Sequence, residues 1–104
     1  MKLLTARTTN GTDGAKTFNP FQKASPAGAA RYAMSAVLTP LGVFDGANIT
    51  VSYSVDQGAT WNDLALASTM TTLDPKVIHA IPGWQFKATV ESAGSSTSLT
   101  LHLE

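Results

Sequence analysis

Ser54, Asp56, Gly58 and Thr60 fall at every second position of Ser54-Val55-Asp56-Gln57-Gly58-Ala59-Thr60-Trp61. A carboxylate flanked by hydroxyls and placed two residues ahead of a glycine suits one task above others. It folds back to accept backbone N–H bonds across a tight turn. Gly58 supplies the positive φ that a tight hairpin needs. Thr60 adds a weaker bond of the same kind, and Trp61 starts the return strand with a large apolar ring. The chemistry of this stretch is turn formation, and Asp56 is read as a turn acceptor rather than a catalytic acid.

Other reactive groups are sparse. His79 and His102 are the two histidines, and they stand on separate strands, where a shared metal would need a chance of fold. With no cysteine there is neither a disulfide framework nor a thiolate metal site. The serines lack a G-x-S-x-G elbow. No glycine-rich phosphate cradle occurs. Asn10-Gly11-Thr12-Asp13-Gly14 lacks the residue order and the later Glu of a calcium loop, and reads as a turn. No catalytic residue, metal ligand or cofactor is therefore expected, and the chain is read as a non-enzyme.

The eight-residue stretch resembles the Asp-box, the S-x-D-x-G-x-T-W hairpin of sialidases and related β-proteins. The resemblance implies a structural turn built by Asp56, Gly58, Thr60 and Trp61, with Trp61 directed into the core. Sialidases carry several such boxes on a much larger propeller, with an arginine cluster and a tyrosine nucleophile. One box and two arginines, Arg7 and Arg31, do not carry that activity over.

The elements that must position this hairpin show a period of two, the mark of strands. In Arg31–Leu38, Tyr32, Met34, Ala36 and Leu38 share a face. In Asn48–Val55, Ile49, Val51, Tyr53 and Val55 point one way, while Thr50, Ser52 and Ser54 point the other. Trp84, Phe86, Ala88 and Val90 face inward in Trp84–Glu91, as do Leu99, Leu101 and Leu103 in Ser98–Glu104. Weaker strands are expected at Lys2–Thr8, Ala15–Asn19, Trp61–Ala67 and Lys76–Ala80. Turn signals separate them, among them Asn10-Gly11, Pro40-Leu41-Gly42, Asp45-Gly46 and Pro82-Gly83. The expected fold is one all-β domain over residues 1–104, an antiparallel β-sandwich of about eight short strands with jelly-roll-like connectivity. Asn19–Ala30 lacks alternation and reads as a long loop, either a contact arm or an ordinary connection.

The 104 residues carry seven basic and seven acidic side chains, so neither nucleic acid nor an anionic membrane is an expected partner. No apolar run approaches the roughly 20 residues of a membrane helix. The start lacks a signal-peptide pattern, and synthesis in a cytoplasm is expected. Charged residues make up 13% of the chain, about half the usual ~25%. Alanine, threonine and serine fill the space. That surface suits either coverage by neighbouring subunits or Thr-rich exposed strands. Phe21 and Phe44, in or near loops, are candidate apolar anchors for a partner.

The wider layout resembles small virion proteins of bacteriophages. The residues that carry it are the opening Met1-Lys2-Leu3-Leu4-Thr5-Ala6, the Ile49–Trp61 strand and turn, and the closing pair Trp84–Val90 and Ser98–Leu103. The resemblance implies a structural protein of the virion, most simply a capsid decoration or cement protein. Its partners would be the major capsid protein or other virion subunits, and it would form a homo-oligomer, with a trimer favoured. The other class is a glycan- or cell-surface-binding module on a fibre or tail.

Overall fold

The structure is a computed structural model that describes residues 1–19, 34–64 and 69–104. Among these residues lie β1 (Lys2–Arg7), β2 (Gly11–Thr12), β3 (Lys16–Thr17), β4 (Met34–Val43), β5 (Asn48–Ser54), β6 (Asn62–Asp63), β7 (Lys76–Ala80), β8 (Gln85–Glu91) and β9 (Ser98–Leu103). There is no helix among them, and so none that is long and apolar enough to cross a membrane. The first sheet has the order β1-β9-β4-β7. The second has β2-β8-β5-β6, with β3 also paired to β8. All strand pairings are antiparallel. The fold is all-β, as the period of two requires, with two sheets enclosing one layer of apolar side chains.

The alternating residues supply that layer. Leu38 and Ala36 of β4, Leu99, Leu101 and Leu103 of β9, and Ile78 and Ala80 of β7 come from the first sheet. Ile49 and Val51 of β5, and Phe86, Ala88 and Val90 of β8, come from the second. Phe18 meets Phe86 edge-on at 6.1 Å between ring centroids, and Tyr53 stacks on Trp84 at 5.3 Å. Trp84 precedes β8 and is only partly buried, packed on the core with Tyr53. Leu3 and Leu4 are both buried although adjacent. The register of β1 against β9 shifts on either side of Leu4, so a bulge turns consecutive side chains inward.

Three expectations change. Val55 falls beyond the end of β5 and is exposed, because the chain has already left the sheet to enter the turn. Pro40-Leu41-Gly42 is no turn but the second half of β4, which runs ten residues. Val37 exchanges both backbone bonds with Glu104, at 2.7 and 3.1 Å. By the strand's period, the backbone groups of Thr39 and Leu41 then point toward β9, and those of Pro40 toward the side where β7 has already ended opposite Leu38. A proline is tolerated there because no ladder bond is asked of it. Thirdly, Gly11 of the Asn10-Gly11 signal lies in a strand, β2. Tyr32 and most of the Asn19–Ala30 stretch lie outside the described residues.

Candidate functional site

At the Asp56 hairpin, β5 ends in Ser54, whose side chain points off the outward face yet is fully buried beneath the turn. Its hydroxyl donates to Asp56 Oδ1 at 2.7 Å and accepts the Gly58 N–H at 2.9 Å. The same Asp56 oxygen accepts the Thr60 N–H at 2.8 Å. Gln57 and Gly58 have φ of 62° and 90°, and Ala59 N–H reaches back to Asp56 O at 3.4 Å. That is the type I′ pattern, whose twist matches the flanking strands. Ser54's hydroxyl foremost, with Thr60's backbone and side chain, holds the Asp56 carboxyl below its usual range. Every one of these bonds lies within the hairpin. Ser54 links the two halves, a role legible only in its S-x-D spacing.

Trp61 departs from its expected place. It is half-exposed and absent from the core cluster. The Lys87 ammonium sits 4.3 Å from its ring centroid, a cation–π contact on the outer face of the second sheet. Beside this hairpin, the stacked rings of Tyr53 and Trp84, both partly buried, pack against the core instead. Phe44 is half-buried and packed on the core, and its carbonyl accepts both Ala47 N–H and the Thr97 hydroxyl. Phe21 lies outside the described residues.

At the opposite end of the sandwich, side chains tie separate loops together. Asp45 accepts the Ser96 N–H at 2.8 Å. Thr97's hydroxyl donates to Phe44 O and accepts the Gly94 N–H, both at 2.8 Å. Asn10 accepts the Ala93 N–H at 2.8 Å. Arg7 donates to Asp13, Thr9 O and Asn10 O, and Asp13 also accepts the Thr5 N–H. Burial pushes the Asp13 carboxyl up, but Arg7's bond and charge, the Thr5 N–H and Lys16 together bring it below its usual range. The Asn10–Gly14 carboxylate is thus committed to an arginine.

His79 and His102 cannot share an ion. His79 is opposite Ser35 on one side of β4 and His102 opposite Thr39 on the other. Four residues along and two strand spacings across put them roughly 16 Å apart. Among the described residues no group of three or more His, Asp or Glu side chains converges.

The outer faces differ. The second sheet presents Thr12, Thr89, Thr50, Ser52 and Lys87, with Thr12 and Thr89 hydroxyls bonded at 2.7 Å and Ser52 donating to Asp63 at 3.4 Å. The first sheet presents half-buried Val37 beside Val77, followed by half-buried Thr39 and then Leu41 and Val43 along β4. Val77, Leu41 and Val43 are 59%, 49% and 52% exposed. Three of the five exposed large hydrophobics among the described residues lie on this face, and what they offer chemically is contact, not reaction. Comparison with protein-family models, curated proteins and solved structures finds no match.

Proposed function

We propose that this protein is a structural component of a bacteriophage virion, a capsid decoration protein that acts by adhesion to neighbouring capsid subunits and performs no catalysis. The observation that carries the reading is the outer face of the first sheet. Val77, Val37, Leu41 and Val43, with Thr39 among them and Glu104 at one end, put apolar side chains where an isolated soluble sheet places polar residues. The strand order lends support to a jelly roll. With β2 and β3 taken as one interrupted strand, the orders 1-8-3-6 and 2-7-4-5 are those of two interleaved Greek keys. Low charge suits a surface that ends covered, and a homo-oligomer, a trimer at a three-fold position, fits a particle-bound role. In this reading the protein is made in the host cytoplasm and resides on the virion.

A second reading rests on one residue. Trp61 offers a half-exposed ring beside Lys87, as a glycan-binding module on a fibre would. One experiment separates the two. Particles lacking the protein are challenged by heat and osmotic shock, then supplemented with wild type, with a Leu41→Asp, Val43→Asp variant, or with Trp61→Ala. The decoration reading expects wild type and Trp61→Ala to restore stability and the aspartate variant to fail while keeping its own melting temperature. Particles equally stable without the protein but unable to adsorb to cells sink it and favour the glycan reading.

A further inference from the structure

A sandwich has four sheet edges, and three of those described here are blunted against pairing. On the first sheet, β1 carries two register shifts and the left-handed Ala6, with φ of 44°. On the second sheet, one edge is broken into β2 and β3, two residues each, and the other is the two-residue β6 with a lone bridge between Ile49 and Met70. Bulges and very short strands are the usual devices that stop an edge from accepting another chain. The fourth edge, β7, has neither. It runs Lys76-Val77-Ile78-His79-Ala80 in one-for-one register with β4, without a shift.

The direction of its free groups follows from its partner. Val37 spends its N–H and C=O on Glu104, on the β9 side. The Val37–Val77 pair is therefore the non-hydrogen-bonded kind, and so is Ser35–His79 two residues away. The backbone groups of Val77 and His79 consequently point away from β4, along the sheet, and no described residue pairs with them. Their side chains stand exposed on the outer face, with Val77 continuing the apolar run.

We infer that β7 is a strand-addition edge whose occupant is β7 of a second copy of this chain, antiparallel about a two-fold axis through Ile78. In that register Val77 exchanges backbone bonds with His79 of the second copy, and the converse, so all four free groups are satisfied. Lys76, the one charged residue of β7, lies beside Ala80 of the second copy and away from the other Lys76. Zero net charge leaves no overall repulsion between copies. The joined sheet sets the two Val77 side chains on one continuous outer face. Five residues a side is a small contact, below the roughly 1,000 Å² of a stable interface, so the pairing belongs to the weak, concentration-dependent class. The inference does not rest on the virion reading, because it concerns the free protein and needs no particle.

The test is sedimentation velocity of the free protein over a wide concentration range, with amide hydrogen exchange followed at Val77 and His79. A concentration-dependent dimer is expected, with both amides slowing at least about tenfold as it forms. His79→Pro removes an N–H that faces outward and leaves the β4 ladder intact, and Val77→Lys places charge on the edge. Both variants should be monomeric at concentrations where the wild type pairs. If His79→Pro lowers the melting temperature, Val77→Lys alone decides. A chain that stays monomeric with both amides exchanging freely overturns the inference. So does a dimer that survives both substitutions, or protection of the two amides that does not change with concentration.

Discussion

The Phe44–Ala47 and Asp56–Ala59 turns share one backbone. Asp45 and Gly46 have φ of 48° and 82°, Gln57 and Gly58 of 62° and 90°, and each turn closes with an N–H bond back across it. Their wiring is opposite. The Asp56 turn is held by Ser54, Asp56 and Thr60, all within six residues of one another. The Asp45 turn is held by Ser96 and Thr97, about fifty residues away, which fasten it to the loop between β8 and β9. The first connects two strands of one sheet and needs only itself. The second carries the chain from β4 in the first sheet to β5 in the other, and its bonds clamp the sheets at one end. The same local geometry therefore serves a hairpin in one place and a tie between layers in the other.

The largest effects should come from the buried hydroxyl that each turn depends on. Ser54→Ala strands the Gly58 N–H and removes one of Asp56's donors. Thr97→Ala strands the Gly94 N–H and leaves Phe44 O with the Ala47 N–H alone. Each should cost about 1–3 kcal/mol in denaturant unfolding. What distinguishes them is reach. Hydrogen exchange should speed up only over residues 56–60 in Ser54→Ala, but in both the 44–47 and 92–97 loops in Thr97→Ala. Spread of the Ser54→Ala effect beyond its hairpin would break the distinction.

A smaller effect tests how the ties combine. Asp45→Ala removes the Ser96 bond and leaves a residue less suited to left-handed φ, while Asp45→Asn keeps an acceptor and tolerates that φ. Asn should be within about 0.5 kcal/mol of wild type and Ala about 1–2 kcal/mol below it. Combined with Thr97→Ala, Asp45→Ala should be non-additive by at least about 0.5 kcal/mol, because both fasten the same two loops. Ser54→Ala and Thr97→Ala share no partner and should add. A unit of coupling between those two would show that the ends of the sandwich communicate through the core.

The contrast also explains what could be read from the chain. Alternation placed Ile49, Val51, Phe86, Val90, Leu99 and Leu101 inside because a half-buried strand must alternate. The Asp56 turn was legible because its donors and acceptors are neighbours in sequence. The Asp45 turn showed only its Asp-Gly signal, since its acceptor meets an amide half a chain away. Pro40 was misread because a proline's tolerance depends on which edge it faces, and that is set by where β7 ends, not by residues near Pro40. Trp61 was misplaced for a similar reason. Beside the hairpin, Tyr53 and Trp84 already packed against the core, and Lys87 gave the Trp61 indole ring a partner outside. The outer apolar run joins β4 to β7 and exists only once those strands pair.

The smallest effect expected is in acid, and it sets the two ends against each other once more. Each has one carboxylate held below its ordinary value, Asp56 in the hairpin and Asp13 in the latch with Arg7. A carboxyl lowered in the folded state binds its proton more readily when unfolded. Its contribution is therefore complete above the unfolded value, near 3.8, and is lost as pH falls through the lower folded value. Melting temperature should stay flat from neutral pH to about that point and then decline. Asp13→Asn removes the charge that Arg7 needs, so it should lower the neutral plateau and shallow the acid decline. Asp56→Asn keeps an acceptor in an exposed turn, where water screens the charge, and should change both less. Equal shallowing by the two substitutions would mean that the hairpin carboxylate is as tightly coupled to folding as the arginine-bound one, and that the self-contained turn is not self-contained.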